Sequence, residues 1–170
     1  MKIGIIGSGG REHALCSTLK KSTKITEIYC FPGNAGTDRI AKNIKLDLNN
    51  FDLLKNFIKK NNIDIIIIGP EKPLVDGIVD FFDKNKIKVF GPNKLASKLE
   101  GSKIFTKELC NKYQIPTPDF GVYIDIASSL AFLNQCKYPV VIKADGLAAG
   151  KGVYICETKE QSKTAVIEIF

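Results

Sequence analysis

Three short segments carry residue types at spacings that suit chemistry on phosphate. The sharpest is Val140-Val141-Ile142-Lys143-Ala144-Asp145-Gly146-Leu147-Ala148-Ala149-Gly150-Lys151-Gly152-Val153. A lysine in an otherwise apolar strand is costly unless its ammonium meets an anion, and the loop after it is built of small residues with a second lysine at its tip. That composition suits a phosphate grip. A Walker A loop would need Ser or Thr at the position of Gly152 and a helix next, whereas a strand-like segment follows. A plain hairpin with an exposed lysine is the alternative, and it accounts for neither Lys143 nor so many glycines and alanines.

The second segment is Gly7-Ser8-Gly9-Gly10-Arg11-Glu12-His13-Ala14, after a strand pattern and at the start of a helical one. Glycines there let backbone N–H groups approach an anion at the positive end of a helix, and Arg11 can add a bidentate clamp. The dinucleotide fingerprint G-x-G-x-x-G would need glycine where Glu12 stands. The next strand ends in Phe31-Pro32-Gly33-Asn34 rather than in an acidic residue for a ribose hydroxyl. A small phosphate-bearing ligand is therefore favoured over a nicotinamide site, with a merely structural tight turn as the other alternative. His13, the single histidine, has no second metal ligand near it in sequence and suits a structural or hydrogen-bonding role.

The third segment is Gly69-Pro70-Glu71-Lys72-Pro73-Leu74-Val75, directly after an aliphatic run. Open α/β sheets bind ligands at strand carboxyl ends, so Glu71 is placed to accept from ribose hydroxyls or an amine. A surface glutamate opening the next helix is the competing reading.

The elements that must position these segments alternate short apolar runs with helical patterns, as in a parallel sheet with crossover helices. Strands are expected over Ile3 to Ile6, Ile25 to Phe31, Ile63 to Ile68 and Ile87 to Phe90, and helices over Arg11 to Lys21, Phe51 to Asn61 and Leu74 to Lys84. Gly91-Pro92 stops the last strand. Ser97 to Tyr113 reads as a polar helical stretch, and Ile115-Pro116-Thr117-Pro118 as a stiff extended segment. Ser128 to Cys136 reads as a helix, Pro139 to Asp145 and Val153 to Cys156 as two strands, and Thr158 to Phe170 as the opening of another helix. The fold class expected is α/β: a doubly wound parallel-sheet domain over residues 1–100, then a second, incomplete domain over 101–170, with the boundary falling between 92 and 116.

The net charge of +7 would suit an anionic partner. The surplus is scattered lysine, with Arg11 and Arg39 the only arginines, so a solvated surface is expected rather than a nucleic-acid face, which usually recruits arginine forks and stacking aromatics. Five dispersed cysteines without a Cys-x-x-Cys pair signal neither a disulfide framework nor a zinc site. No segment has the length of a membrane span, and Met1 to Gly7 is too short for a signal-peptide core, so the cytoplasm is the default expectation.

Taken together these motifs resemble the ATP-grasp superfamily and, within it, the phosphoribosylamine-glycine ligase family. Gly7 to Ala14, Pro32 to Thr37, Gly69 to Val75, Leu99-Glu100-Gly101-Ser102-Lys103 with Phe105 and Lys107, Ile115-Pro116-Thr117, and Lys143 to Val153 occur in that family's order over essentially the whole chain. The resemblance implies an ATP-dependent carbon-nitrogen ligase of purine synthesis: ATP, glycine and 5-phosphoribosylamine give glycinamide ribonucleotide, ADP and phosphate. It implies that Lys103 and Lys143 neutralise ATP phosphates and that Gly146, Ala149, Gly150, Lys151 and Gly152 form a lid. Gly9, Gly10, Arg11 and Glu71 would meet the phosphoribosylamine side, with Asn34, Gly36 and Thr37 lining the same crevice. Magnesium or manganese ligands would lie beyond residue 170, so a chain ending at Phe170 is expected to be inactive alone, and the full-length enzyme is expected to be monomeric. The alternatives are a non-catalytic sugar-phosphate-binding module, another ATP-grasp ligase such as a biotin-dependent carboxylase subunit, and a nicotinamide oxidoreductase.

Overall fold

Aliphatic, β-branched runs make the strands, and their two-residue period divides the core. The computed structural model describes residues 1–148 and 150–170, which divide into two compact units, Met1–Lys98 and Leu99–Phe170. In the first unit five parallel strands, β1 (Lys2–Gly7), β2 (Glu27–Pro32), β3 (Lys42–Asn43), β4 (Ile65–Ile68) and β5 (Val89–Phe90), pair in the order β3-β2-β1-β4-β5. Ile6, Phe31, Ile66 and Ile68 point to one face and pack with Leu54 and Ile58 of α2 (Phe51–Lys60) and Ile78 and Phe82 of α4 (Ile78–Lys84). Ile3, Ile5, Ile28 and Cys30 point to the other, against Leu15, Cys16 and Leu19 of α1 (Gly10–Leu19). Helices on both faces make the sheet doubly wound. Leu54, Ile58 and Ile78 are each at most 2% exposed, and burying a side chain of that size contributes about 2 kcal/mol.

Local chemistry sets the element boundaries. Asn50 caps α2 by accepting from Leu53 N–H at 3.1 Å. The helix expected over Leu74 to Lys84 is two, α3 (Glu71–Asp76) and α4, because Gly77 at φ +96° takes a left-handed conformation that ends the first and starts the second. The stretch expected over Ser97 to Tyr113 is likewise two helices, α5 (Lys94–Gly101) and α6 (Lys103–Lys112). Ser102 leaves the helical region and accepts from Phe105 N–H at 3.1 Å, which makes it the cap of α6. The two-residue strand β3 has too little apolar sequence to announce itself.

The second unit holds α6, α7 (Ile126–Leu133), an antiparallel hairpin of β6 (Val140–Lys143) and β7 (Val153–Cys156), and α8 (Lys159–Ile169). Leu133, Cys156, Ala165 and Val166 form its buried apolar centre. Tyr138 Oη bridges Leu133 O at 3.1 Å and Ser162 Oγ at 2.8 Å, satisfying a hydroxyl that is fully buried on α8. Thr158 and Gln161 cap α8 reciprocally. No helix among the described residues is long and apolar enough to cross a membrane.

Candidate functional site

Two places gather the residues singled out by sequence, one in each unit. In the first, the strand-to-helix turn after β1 is held by Glu12. Its Oε2 accepts from Gly9 N–H at 2.5 Å, and the side chain is only 4% exposed. A methyl group added to Gly69 would fall 1.9 Å from Glu12 Oε1, and one added to Gly7 would fall 2.6 Å from Glu12 Cδ. The carboxyl group therefore lies over the carboxyl ends of both β1 and β4, in space that only glycine leaves open. Beside it Arg11 Nη2 donates to Glu71 Oε1 at 2.6 Å, joining the first turn of α1 to the first turn of α3. The Arg11 guanidinium, helped by a backbone hydrogen bond, holds the Glu71 carboxyl below the usual carboxylate range. Gly10 faces open space, since a methyl group there would meet nothing within 4 Å.

The loop after β2 is stitched to this turn. Asn34 Nδ2 donates to Ser8 O at 2.8 Å and Gly9 O at 3.2 Å, while Asn34 Oδ1 accepts from Gly36 N–H at 2.7 Å and Thr37 N–H at 3.0 Å. Thr37, fully buried, donates to Asn34 O at 2.9 Å, and Asn43 Nδ2 donates to the same oxygen at 2.8 Å. Asn34 and Thr37 thus spend their polar groups on the protein and shape the crevice wall. Gly36 sits against the His13 ring, whose Nε2 lies 3.2 Å from where a Gly36 methyl would be. The structure therefore brings Gly9, Gly10, Arg11, Asn34, Gly36, Thr37 and Glu71 to one end of the sheet.

In the second unit, Asp145 organises the place. Its Oδ1 accepts from Lys103 N–H at 2.7 Å and Ile104 N–H at 3.2 Å, and Ser102 Oγ donates to its Oδ2 at 3.1 Å. Burial opposes ionisation of this carboxyl, but hydrogen bonds from Ile104, Ser102, Gly146 and Lys103 outweigh it and hold the group below the usual aspartate range. The negative charge at the amino end of α6 also complements the helix dipole. With the backbone so fixed, Lys103 Nζ donates to Gly146 O at 2.8 Å, bringing the first lysine against the glycine-rich loop. The loop closes through Lys151 N–H to Ala148 O and Ala144 N–H to Gly152 O, both at 2.8 Å, with Gly146, Gly150 and Gly152 at φ +84°, +80° and +98°. Ala149 lies outside the described residues.

Lys143 ends β6 directly across from Val153. The expectation that it sits in an apolar setting is corrected here: β6 alternates, and Lys143 is on the exposed face with Val141 and Ile155, the latter 74% exposed. Its ammonium meets no buried environment, so the cost-of-burial argument for an anion partner fails while its position at the mouth of the loop stands. Sequence reasoning missed Glu12 and Asp145. The spacing Gly9-x-x-Glu12 is a capping-box spacing and could have found the first. Asp145 gave no local signal, because the helix start that it caps, Ser102 to Ile104, lies 41 to 43 residues away.

Residues 1–100 match the family described as phosphoribosylglycinamide synthetase, N domain, and residues 101–170 match its ATP-grasp (A) domain. The phosphoribosylamine-glycine ligase of Clostridium acetobutylicum is 50% identical over 157 residues, 92% of this chain and 38% of that protein. That of Mesorhizobium japonicum is 45% identical over 170 residues, 100% of this chain and 40% of that protein. The crystal structure of the Thermotoga maritima phosphoribosylamine-glycine ligase superposes with a TM-score of 0.75 at 34% identity, covering 96% of this chain and 38% of that one. The chain thus spans about two fifths of the length of these relatives. By both family matches, which between them cover residues 1–170, the chain belongs to the phosphoribosylglycinamide synthetase family, with residues 1–100 matching its N domain and residues 101–170 its ATP-grasp (A) domain.

Proposed function

We propose that this chain supplies the sugar-phosphate crevice and the triphosphate-facing lysines of an ATP-dependent ligase that joins glycine to 5-phosphoribosylamine. Glycine's carboxylate takes the γ-phosphoryl group of ATP to give an acyl phosphate and ADP. The amine of phosphoribosylamine then attacks the acyl carbon, forming the amide of glycinamide ribonucleotide and releasing phosphate. The work asked of the protein is positioning, charge neutralisation and exclusion of water from the anhydride. Lys103 and Lys143 neutralise the phosphates, and the Gly146–Gly152 loop with Lys151 covers them. The phosphate of the sugar docks at Gly9, Gly10 and Arg11, with Glu71 accepting from the ribose or the amine and the Pro32–Thr37 loop forming the wall.

The observation that supports this reading is the contact of Lys103 Nζ with Gly146 O, two groups 43 residues apart in sequence, which sets that lysine against the glycine-rich loop that follows Lys143. Among the described residues no group of three or more His, Cys, Asp or Glu side chains is placed to hold a metal ion. Five free cysteines, with Cys16 and Cys30 buried and their thiols pushed up chiefly by burial, suit a reducing cytoplasmic setting. The test is calorimetric titration of magnesium-ATP into the chain and into Lys143→Ala. Binding weakened about tenfold or more by the substitution supports the grip. Equal binding by both proteins contradicts it.

A further inference from the structure

The strand order β3-β2-β1-β4-β5 reverses direction between β1 and β4, and in open parallel sheets a ligand lies outside the carboxyl ends of the strands at such a reversal. β1 ends at Gly7 and Gly69 follows the last residue of β4, and the space over both glycines is filled by the Glu12 carboxyl group, 4% exposed and fixed by Gly9 N–H at 2.5 Å. In a dinucleotide crevice the position of Glu12 is held by the third glycine, and the pyrophosphate passes over the turn. Here a buried carboxylate stands at that position. The open side of the turn is at Gly10, where an added methyl would meet nothing within 4 Å, next in sequence to Arg11.

We infer that Glu12 is a specificity-determining residue that limits this crevice to ligands with a single phosphate. A phosphomonoester of a pentose fits at the Gly10 and Arg11 edge. A diphosphate laid across the reversal would bring its second phosphate against Glu12, both by loss of space and by like charge in a setting of low dielectric. Glu71, the other carboxylate at this end of the sheet, is paired with Arg11 at 2.6 Å and is far more exposed than Glu12. This inference rests on the sugar-phosphate reading of the first unit and deepens it by naming the residue that selects the ligand class.

The experiment is calorimetric titration of ribose 5-phosphate and, separately, ADP-ribose, both in a Lys143→Ala background and counting only the ADP-ribose binding that ribose 5-phosphate displaces, so that the adenosine diphosphate end does not report on the second unit. The parent is expected to favour ribose 5-phosphate by at least about tenfold, and Glu12→Gln, which keeps an oxygen for Gly9 N–H, to shrink that ratio on the order of tenfold by improving ADP-ribose binding. A purely structural role would weaken both ligands together and leave the ratio unchanged, which overturns the inference. If Glu12→Gln does not fold, the parent decides alone, since ADP-ribose bound as tightly as ribose 5-phosphate overturns the inference as well. Failure of the underlying reading has its own signature, in which the parent binds no ribose 5-phosphate at all, and the selectivity claim falls with it.

Discussion

In the first unit a methyl group added to Gly7, Gly33 or Gly69 would fall 2.6, 2.1 or 1.9 Å from side-chain atoms of Glu12 or Asn43, whereas one added to Gly146 or Gly150 in the second would meet nothing within 4 Å. The same residue type serves opposite ends. Around Glu12 and Asn34, glycine is needed because polar side chains pack directly onto the backbone, which fixes the crevice before any ligand arrives. In the lysine loop, glycine is needed for its positive φ, in open space, and the contacts fixing the loop gather at its base on Asp145. On the proposed function the two settings suit their tasks, since a crevice that selects a ligand gains from rigidity and a loop that covers one needs room to change conformation.

The largest effect that could break this contrast is on stability. Gly69→Ala drives a methyl group into the buried Glu12 carboxyl and is expected to cost about 3 kcal/mol, whereas Gly150→Ala meets only the backbone strain of φ +80° and is expected to cost about 1 kcal/mol. Urea unfolding of the two variants measures the difference, and equal costs would erase the distinction. Next in size, Asp145→Ala removes the acceptor for Lys103 and Ile104 N–H and is expected to cost about 1 kcal/mol, as helix caps do. Because the folded-state pKa of Asp145 is depressed, its contribution is present above the usual 3.8 and lost as pH falls below it, so the acid limb of the stability curve should flatten in Asp145→Asn.

Smaller still is Lys143→Ala, an exposed position where stability should change by less than about 0.5 kcal/mol while the ATP titration changes. The smallest effect belongs to Glu27, whose carboxyl is lowered from the usual 4.5 to about 2 by hydrogen bonds from Lys42, Tyr29 and Lys2 at the surface. Its contribution is complete above pH 4.5 and lost toward pH 2, and acid titration of Glu27→Gln should show a shallower slope in that window.

Much of this was legible in the sequence for physical reasons. A run such as Ile65 to Ile68, buried on one face and half-buried on the other, reads as an inner strand of a covered parallel sheet. Glycines flanking Arg11 and following Lys143 mark backbone that needs special conformation or close approach. The breaks at Gly77 and Ser102 were hidden because helix-forming residues lie on both sides, and a single Gly or Ser inside such a run is tolerated often enough that it does not by itself mark a stop. The exposure of Lys143 was hidden because a two-stranded hairpin covers only one of its faces, and a run of Val and Ile reads the same whether one face or two is covered. Asp145 illustrates the remaining limit: a carboxylate becomes a cap only through a contact 42 residues distant, which no local pattern records.

The central claim is that the first unit by itself holds a preformed sugar-phosphate crevice. Calorimetric titration of glycinamide ribonucleotide into the parent chain, Arg11→Ala and Lys143→Ala tests it most directly. The account predicts binding by the parent, the same affinity in Lys143→Ala, and affinity weakened about tenfold or more in Arg11→Ala. Equal binding by all three proteins, or a loss confined to Lys143→Ala, would contradict it.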